Sequence, residues 1–99
     1  MDISNVVVSL AGHDKDKLFF VVRTEGEYAY IVNGKGRRMA APKRKKKKHL
    51  KVLGDSNSRT AEKIRSGDKV LDSEIRRVLS EYEHNGQIPG GNETWQKTM

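Results

Sequence analysis

The residues best suited to carry a chemical function lie in one basic segment, residues 35–51, with the sequence KGRRMAAPKRKKKKHLK. The basic segment holds ten of the chain's 20 lysines and arginines and no acidic residue. The remainder has ten basic residues against 13 acidic ones, so the net charge of +7 arises entirely in this segment. Because neighbouring cations repel one another and a fold does not require them, the basic segment predicts a polyanionic partner.

RNA is a polyanion that these residue types fit. Lysines supply flexible point charges for phosphates, and Arg37, Arg38 and Arg44 each offer a planar group with several donors. Four aromatic rings precede the basic segment and can stack on bases where they are exposed: Phe19, Phe20, Tyr28 and Tyr30. We expect at least half of these rings to lie in the core, since a small domain must fill its centre. The alternatives are a solvated basic loop or localisation signal, and a module that binds an acidic protein.

An enzyme is not expected. The absence of cysteine excludes disulfides, thiolate metal sites and cysteine nucleophiles. His13, His49 and His84 are far apart in the sequence and have no companion at metal-ligand spacing. The Gly34-Lys35-Gly36 turn lacks the spacing and the helix of a phosphate-binding loop. We therefore expect no catalytic residue, no metal and no cofactor.

Size and hydrophobicity predict one small domain without a membrane segment. The chain has 99 residues, of which 34% are hydrophobic, so the core is modest. The first residues do not have the pattern of a signal peptide, and no apolar run approaches the roughly 20 residues that span a bilayer. We expect a cytoplasmic protein, monomeric and without a membrane partner.

The first half of the chain favours short strands separated by tight turns. Apolar runs, most of them alternating, predict four strands, at residues 3–10, 17–24, 27–33 and 49–53, and a short basic strand is expected around residues 37–39. Gly12 and Asn33-Gly34 have the chemistry of turns. Five short strands in about fifty residues favour a small SH3-like barrel, because closure hides the edges of the sheet. The basic segment is then expected as the loop between the last two strands.

The second half predicts a helical part. Residues 58–66 form a candidate helix that ends at Gly67, and Asp72 is placed to cap a second helix over residues 73–83. One face of the second helix is apolar and should pack on the barrel: Leu71, Ile75, Val78, Leu79 and Tyr82. The expected organisation is a barrel over residues 1–54, a helical extension over 55–86 and a disordered polar tail over 87–99.

The strand sequence also resembles a known family. Val6-Val7-Val8, Ala11-Gly12, His13-Asp14-Lys15 and residues 19–22 fill the places of a KOW motif: an apolar strand, a small residue with glycine, a charged turn and a second apolar strand. Residues 42–50, PKRKKKKHL, are similar to the basic segment and last strand of small bacterial relatives of archaeal- and eukaryotic-type large-subunit ribosomal proteins. The resemblance covers about residues 3–53, with a looser match at 72–79. Asp16 departs from it, since many KOW turns have a second glycine there.

The resemblance implies an SH3-like barrel that binds RNA, with ribosomal RNA or the ribosome as the expected partner. It adds the Gly12 turn to the binding residues that charge alone predicts, although a barrel connection needs a glycine for backbone reasons as well. The predicted RNA-binding residues are Gly12, His13, Lys15, Lys35, Arg37, Arg38, Lys43, Arg44, Lys45, Lys46, Lys47, Lys48 and Lys51.

Overall fold

Five strands precede two helices in the computed structural model, which describes residues 1–56 and 58–84. The strands are β1 (Asn5–Ser9), β2 (Leu18–Glu25), β3 (Tyr28–Val32), β4 (Lys43–Lys46) and β5 (Leu50–Asp55), and the helices are α1 (Arg59–Ser66) and α2 (Asp72–His84). A single 3-10 turn, Lys47–His49, joins β4 to β5. The mainly β class with a C-terminal helical part is therefore confirmed. The predicted tail, residues 87–99 with Trp95, lies outside the described residues.

The strands form one antiparallel sheet in the order β4-β3-β2-β1-β5. The edge strands β4 and β5 are not paired with each other, so the sheet is not closed into the barrel that we expected. After the 3-10 turn, the chain continues as β5, which pairs with β1 over the whole length of β1. Strand β4 is only four residues long. The sheet therefore stays open at this seam.

Both faces of the sheet are apolar, but the helices cover only one. Val6, Phe20 and Val32 pack with Ile75 and Val78 of α2 in the first core cluster. The buried residues of the second cluster all come from strands: Val7, Phe19, Val21, Ala29, Ile31 and Leu50. Because no described helix residue covers this second face, the sheet must curl to bury it. Register shifts after Val6 in β1 and after Val21 in β2 support this curvature.

The fourth strand lies within the basic segment, so the strand predicted at residues 37–39 and the prediction of a basic loop are both wrong. Lys43–Lys46 pairs with β3, which places Arg44 opposite Tyr30 and Lys46 opposite Tyr28. Successive side chains of a strand point to opposite faces, so neighbouring cations are directed apart. This alternation lowers the repulsion between consecutive cations of the strand.

Helix α2 holds the loop that leads into β4. Gly34 has a φ of +77°, and a Cβ added there would lie 2.5 Å from the carbonyl oxygen of Asp72. The Arg76 guanidinium donates to the carbonyl of Gly34 (2.5 Å), and Met39 N donates to the Asp72 carboxylate (2.8 Å). The Asp72 carboxylate thus binds a distant loop, whereas we expected it to cap its own helix.

The predicted helices are confirmed with small changes. Ser58 caps α1 by accepting from Ala61 N (3.1 Å), and Gly67 ends that helix with a φ of +80°. Helix α2 buries four of the five predicted apolar residues, but Leu71 is 53% exposed because it precedes the helix. Lys63 Nζ lies 2.8 Å from Glu74 Oε1 and joins the two helices.

Gly54 and Tyr82 form a tight contact that can be tested by a double-mutant cycle. The Tyr82 hydroxyl is buried and has no hydrogen-bond partner among the described residues, and burial, followed by the charge of Asp55, raises the pKa of Tyr82. A Cβ at Gly54 would lie 2.5 Å from that hydroxyl oxygen. We expect Gly54→Ala to lower the free energy of unfolding by about 1–3 kcal/mol through overpacking.

Tyr82→Phe should leave stability unchanged or raise it slightly, because it removes an unpaired buried hydroxyl. It should also restore most of the stability that Gly54→Ala loses, since the hydroxyl is the atom that clashes. Urea unfolding of the two single variants and the double variant measures this coupling. Strictly additive effects would contradict the proposed contact.

The ion pair between Lys63 and Glu74 is expected to make the free energy of unfolding depend on pH in the acidic range. The hydrogen bond from Lys63 is the main reason that the pKa of Glu74 lies below its ordinary value of 4.5, with partial burial opposing it. The stabilisation is therefore complete above pH 4.5 and is lost as the pH falls through the lowered pKa of the folded state. Glu74→Gln should unfold with a weaker dependence on pH in this acidic range than the parent protein. The free energy of unfolding is measured by urea denaturation at several pH values. If it changes with pH equally in the variant and the parent protein, the ion pair contributes nothing to stability.

Candidate nucleic-acid interface

Strand β4 divides the basic residues between two faces of the sheet. Lys43 and Lys45 share one face and are half-buried, while Arg44 and Lys46 share the other face and are exposed. The predicted binding residues of this strand therefore do not act as one continuous patch. Each face has its own contacts.

Lys45 is turned inward and ties the two ends of the sheet together. Its Nζ donates to Ser9 Oγ (2.6 Å) and to the carbonyl of Ala11 (2.8 Å). In a flat sheet β4 and β1 would be about 14 Å apart, at roughly 4.8 Å per strand. This contact is therefore direct evidence of the curl, and Lys45 serves the fold and not the surface.

The loop between β1 and β2, residues 10–17, lies against the basic segment. Gly12 has a φ of +80°, and a Cβ there would lie 3.8 Å from Lys45 Nζ. The Asp14 carboxylate accepts from the Arg37 guanidinium at 3.3 Å, so the charge of Arg37 is paired within the protein. The structure thus brings Gly12, Lys45 and Arg37 together, as the predicted binding surface requires, although two of them are engaged internally.

The same loop contains two exposed cations and a residue with unusual backbone geometry. His13 and Lys15 are exposed, and neither side chain forms a hydrogen bond or ion pair with a described residue. Asp16 has a φ of +70°. This left-handed conformation is one that glycine adopts most readily and aspartate tolerates. Asp16 differs in residue type from the glycine of many KOW turns, but it adopts the left-handed backbone conformation that a glycine would favour at this position.

The face of the sheet on which Arg44 and Lys46 lie carries two stacked pairs of arginine and tyrosine. Arg44 Cζ lies 3.8 Å from the centre of the Tyr28 ring, and Arg23 Cζ lies 4.1 Å from that of Tyr30. The tyrosines are half-buried, while Phe19 and Phe20 are fully buried. The expectation that at least half of the four rings lie in the core is confirmed.

Arg23 was not predicted as a site residue. The alternation of residues 27–33 could have placed both tyrosines on one face, but Arg23 reaches Tyr30 only because β2 shifts its register after Val21. That shift has no recognisable pattern in the sequence. The Arg23–Tyr30 pair is therefore visible only in the folded protein.

Three consecutive lysines line a small cavity at the end of this face. The cavity has a volume of about 300 Å³ and is lined by Gly26, Glu27, Lys46, Lys47 and Lys48. Lys47 N donates to the carbonyl of Glu27 (2.8 Å), which fixes the 3-10 turn against the β2–β3 turn. The cavity therefore combines high positive charge with a defined backbone.

The remaining predicted residues lie outside β4 and the 3-10 turn. Lys35 and Arg38 are exposed in the loop before β4, where Arg38 Nε donates to the carbonyl of Lys35 (3.0 Å). Lys51 is exposed on β5, the other edge strand in the sheet order. Among the predicted binding residues, the exposed lysines and arginines that have no ion pair with a described residue are Lys15, Lys35, Arg38, Arg44, Lys46, Lys48 and Lys51.

A larger cleft, lined by the β1–β2 loop, the loop before β4 and helix α2, has mixed charge. Its volume is about 760 Å³, and its charged lining residues are Asp14, Asp16, Glu83, Lys17, Lys35, Arg37 and Arg76. Three acids among four bases make this cleft a weak site for a polyanion. The region around β4 and the 3-10 turn is the better candidate.

No group of three or more histidine or acidic residues that could hold a metal occurs in residues 1–56 and 58–84. None of the helices in this part of the chain is long and apolar enough to cross a membrane. No protein-family model matches the chain, and no curated protein matches it significantly. The KOW resemblance therefore stays a prediction.

The two lysines at positions 45 and 46 provide a matched test of these assignments. Lys45→Met removes two hydrogen bonds, one of them to the buried Ser9 hydroxyl, and should lower the free energy of unfolding by about 1–2 kcal/mol. Lys46→Met makes the same chemical change at an exposed neighbour and should cost less than about 0.5 kcal/mol. Urea unfolding measures both values. Equal destabilisation by the two variants would contradict the structural role of Lys45.

Proposed function

We propose that this protein is a non-catalytic, cytoplasmic RNA-binding protein of the KOW type that contacts structured RNA, ribosomal RNA in particular, through β4 and the 3-10 turn. The observation that carries the proposal is the cationic surface formed by Arg44, Lys46, Lys47 and Lys48, none of which forms an ion pair with a described residue. Glu27 is the one acidic residue that lines the cavity beside it. A regular strand and a fixed turn present these cations, so little order is lost when they bind.

Several features support RNA over other polyanions. Phosphates need cations, and the planar guanidinium of Arg44 adds a group that can also contact bases. The β1–β2 loop with Gly12, His13 and Lys15 lies beside the inward-facing Lys45, as the KOW resemblance implies for a shared surface. A left-handed residue at position 16 also agrees with that resemblance.

The number of exposed cations sets the expected dependence on salt. If about five phosphates are contacted, the logarithm of the binding constant should fall against the logarithm of the salt concentration with a slope of about −3.5 to −4.5. Such contacts depend on the RNA backbone and its shape, so sequence preference from this surface alone is weak.

The test is a charge neutralisation that spares Lys45, since replacing that residue would disturb the fold. In the triple variant Lys46→Gln, Lys47→Gln, Lys48→Gln we expect RNA affinity to fall by at least about tenfold at 100 mM salt and the slope to become shallower by about 2. The control neutralises Arg59, Lys69 and Arg77, which are exposed on the helical part, and changes the net charge equally.

Binding to fragments of ribosomal RNA is measured by fluorescence anisotropy at several salt concentrations. Equal weakening by the two triple variants would contradict a localised site and leave only a general charge effect. Binding that an acidic polypeptide abolishes and RNA does not would favour the acidic protein partner instead.

A further inference from the structure

We infer that the outer face of β2, β3 and β4 binds two successive unpaired nucleotides of RNA, with their bases stacked on the guanidinium groups of Arg44 and Arg23. This inference rests on the proposed function and specifies which form of RNA the surface takes. We call Arg23, Tyr28, Tyr30 and Arg44 the stacking face.

The stacked pairs present flat groups to solvent. Arg44 Cζ lies 3.8 Å from the centre of the Tyr28 ring, a distance at which the guanidinium group is in van der Waals contact with the ring. Arg44 is exposed, and the side chain of Arg23 over Tyr30 is 59% exposed. The side of each guanidinium group that faces away from its ring is thus available to a base. Arginine planes and aromatic rings are the groups on which proteins stack unpaired bases.

The Tyr30 pair is held in place before any ligand arrives. Glu25 lies 3.8 Å from the Arg23 guanidinium and accepts a hydrogen bond from the Tyr30 hydroxyl (3.2 Å). The Tyr28 pair is held by the pairing of β3 with β4, which places Lys46 directly opposite Tyr28 and Arg44 two residues away, opposite Tyr30. A platform that is ordered in the free protein loses little conformational entropy on binding.

The spacing of the two platforms selects the form of the RNA. Tyr28 and Tyr30 are two residues apart on one face of β3, so the Cα atoms beneath the two platforms are about 6.8 Å apart. This is about twice the 3.4 Å between successive bases of a stacked strand. Two neighbouring bases can therefore occupy the two platforms only if they are not stacked on each other.

The charges on this face indicate where the backbone of the RNA lies. Glu25 stands on the β2 side of the tyrosines, whereas Lys46 and the lysine-lined cavity stand on the β4 side. Phosphates are repelled by the carboxylate of Glu25 and attracted by Lys46 and the other lysines of the cavity. We therefore place the sugar-phosphate backbone along β4 and the 3-10 turn, with the bases directed over β3. A duplex cannot bind in this way, because its bases are already paired and stacked.

The test compares an unpaired oligoribonucleotide with a duplex of the same length, using the full chain. A hexauridylate with 2-aminopurine at its centre reports stacking, because the fluorescence of this base is quenched when it stacks. Arg44→Lys retains the charge and removes the plane. We expect it to bind the hexamer about five- to tenfold more weakly and to lose most of the quenching, with the salt slope and duplex affinity unchanged.

Arg59→Lys is the matched control, because Arg59 is exposed on α1, is not one of the predicted binding residues and has no described ring beneath it. It should bind the hexamer as the parent protein does. Arg23→Lys is a second variant on another strand, and it should reduce affinity and quenching in the same direction as Arg44→Lys. Thermal unfolding of each variant verifies that the fold is intact.

The outcomes separate this inference from the proposed function. If Arg44→Lys and Arg23→Lys bind and quench like Arg59→Lys while the lysine triple variant still weakens RNA binding, the stacking face is overturned and the RNA-binding function stands. Equal affinity of the parent protein for hexamer and duplex, without quenching, would overturn the inference as well. If the parent protein binds an acidic peptide and no RNA, both proposals fail.

Discussion

The structure depends on one constraint: a five-stranded sheet that is apolar on both faces has only two described helices to cover it. The helices bury the face that carries Val6, Phe20 and Val32. The other face, with Phe19 and Ile31, is buried because the sheet curls. The curl brings β4 close to the end of β1 and the start of the β1–β2 loop. Lys45 of β4 stabilises this contact by donating hydrogen bonds to Ser9 Oγ and to the carbonyl of Ala11.

This curl determines which cations remain available to a partner. Alternation along β4 sends Lys45 inward and leaves Arg44 and Lys46 on the outer face, beside the tyrosines of β3. The sheet therefore uses one lysine of the basic segment for its own stability and displays the others. Helix α2 contributes by holding Gly34 and Met39, which fixes the loop that leads into β4. Fold and surface are thus built from the same short segment.

Local patterns were sufficient to predict much of the fold, because the relevant signals lie close together in the sequence. The alternation of apolar residues predicted four of the strands, and Ser58 and Gly67 act on helix α1 as local capping chemistry predicts. Strand β4 could not be predicted in this way, since KRKK has no apolar alternation and forms a strand only through pairing with β3. The inward turn of Lys45 and the bond from Met39 to Asp72 also depend on residues more than thirty positions apart. The amino-acid composition could therefore not predict which of the basic residues are exposed.

The most direct test of the central claim is residue-level mapping of RNA binding by NMR, with ¹⁵N-labelled full-length protein titrated with a single-stranded oligoribonucleotide. The account predicts that chemical-shift changes concentrate on β3, β4 and the 3-10 turn, with Arg23 included and with α1 and the exposed side of α2 unaffected. Changes confined to the helices or to the mixed-charge cleft would contradict it. So would a titration that leaves the β4 amides unchanged while RNA is bound.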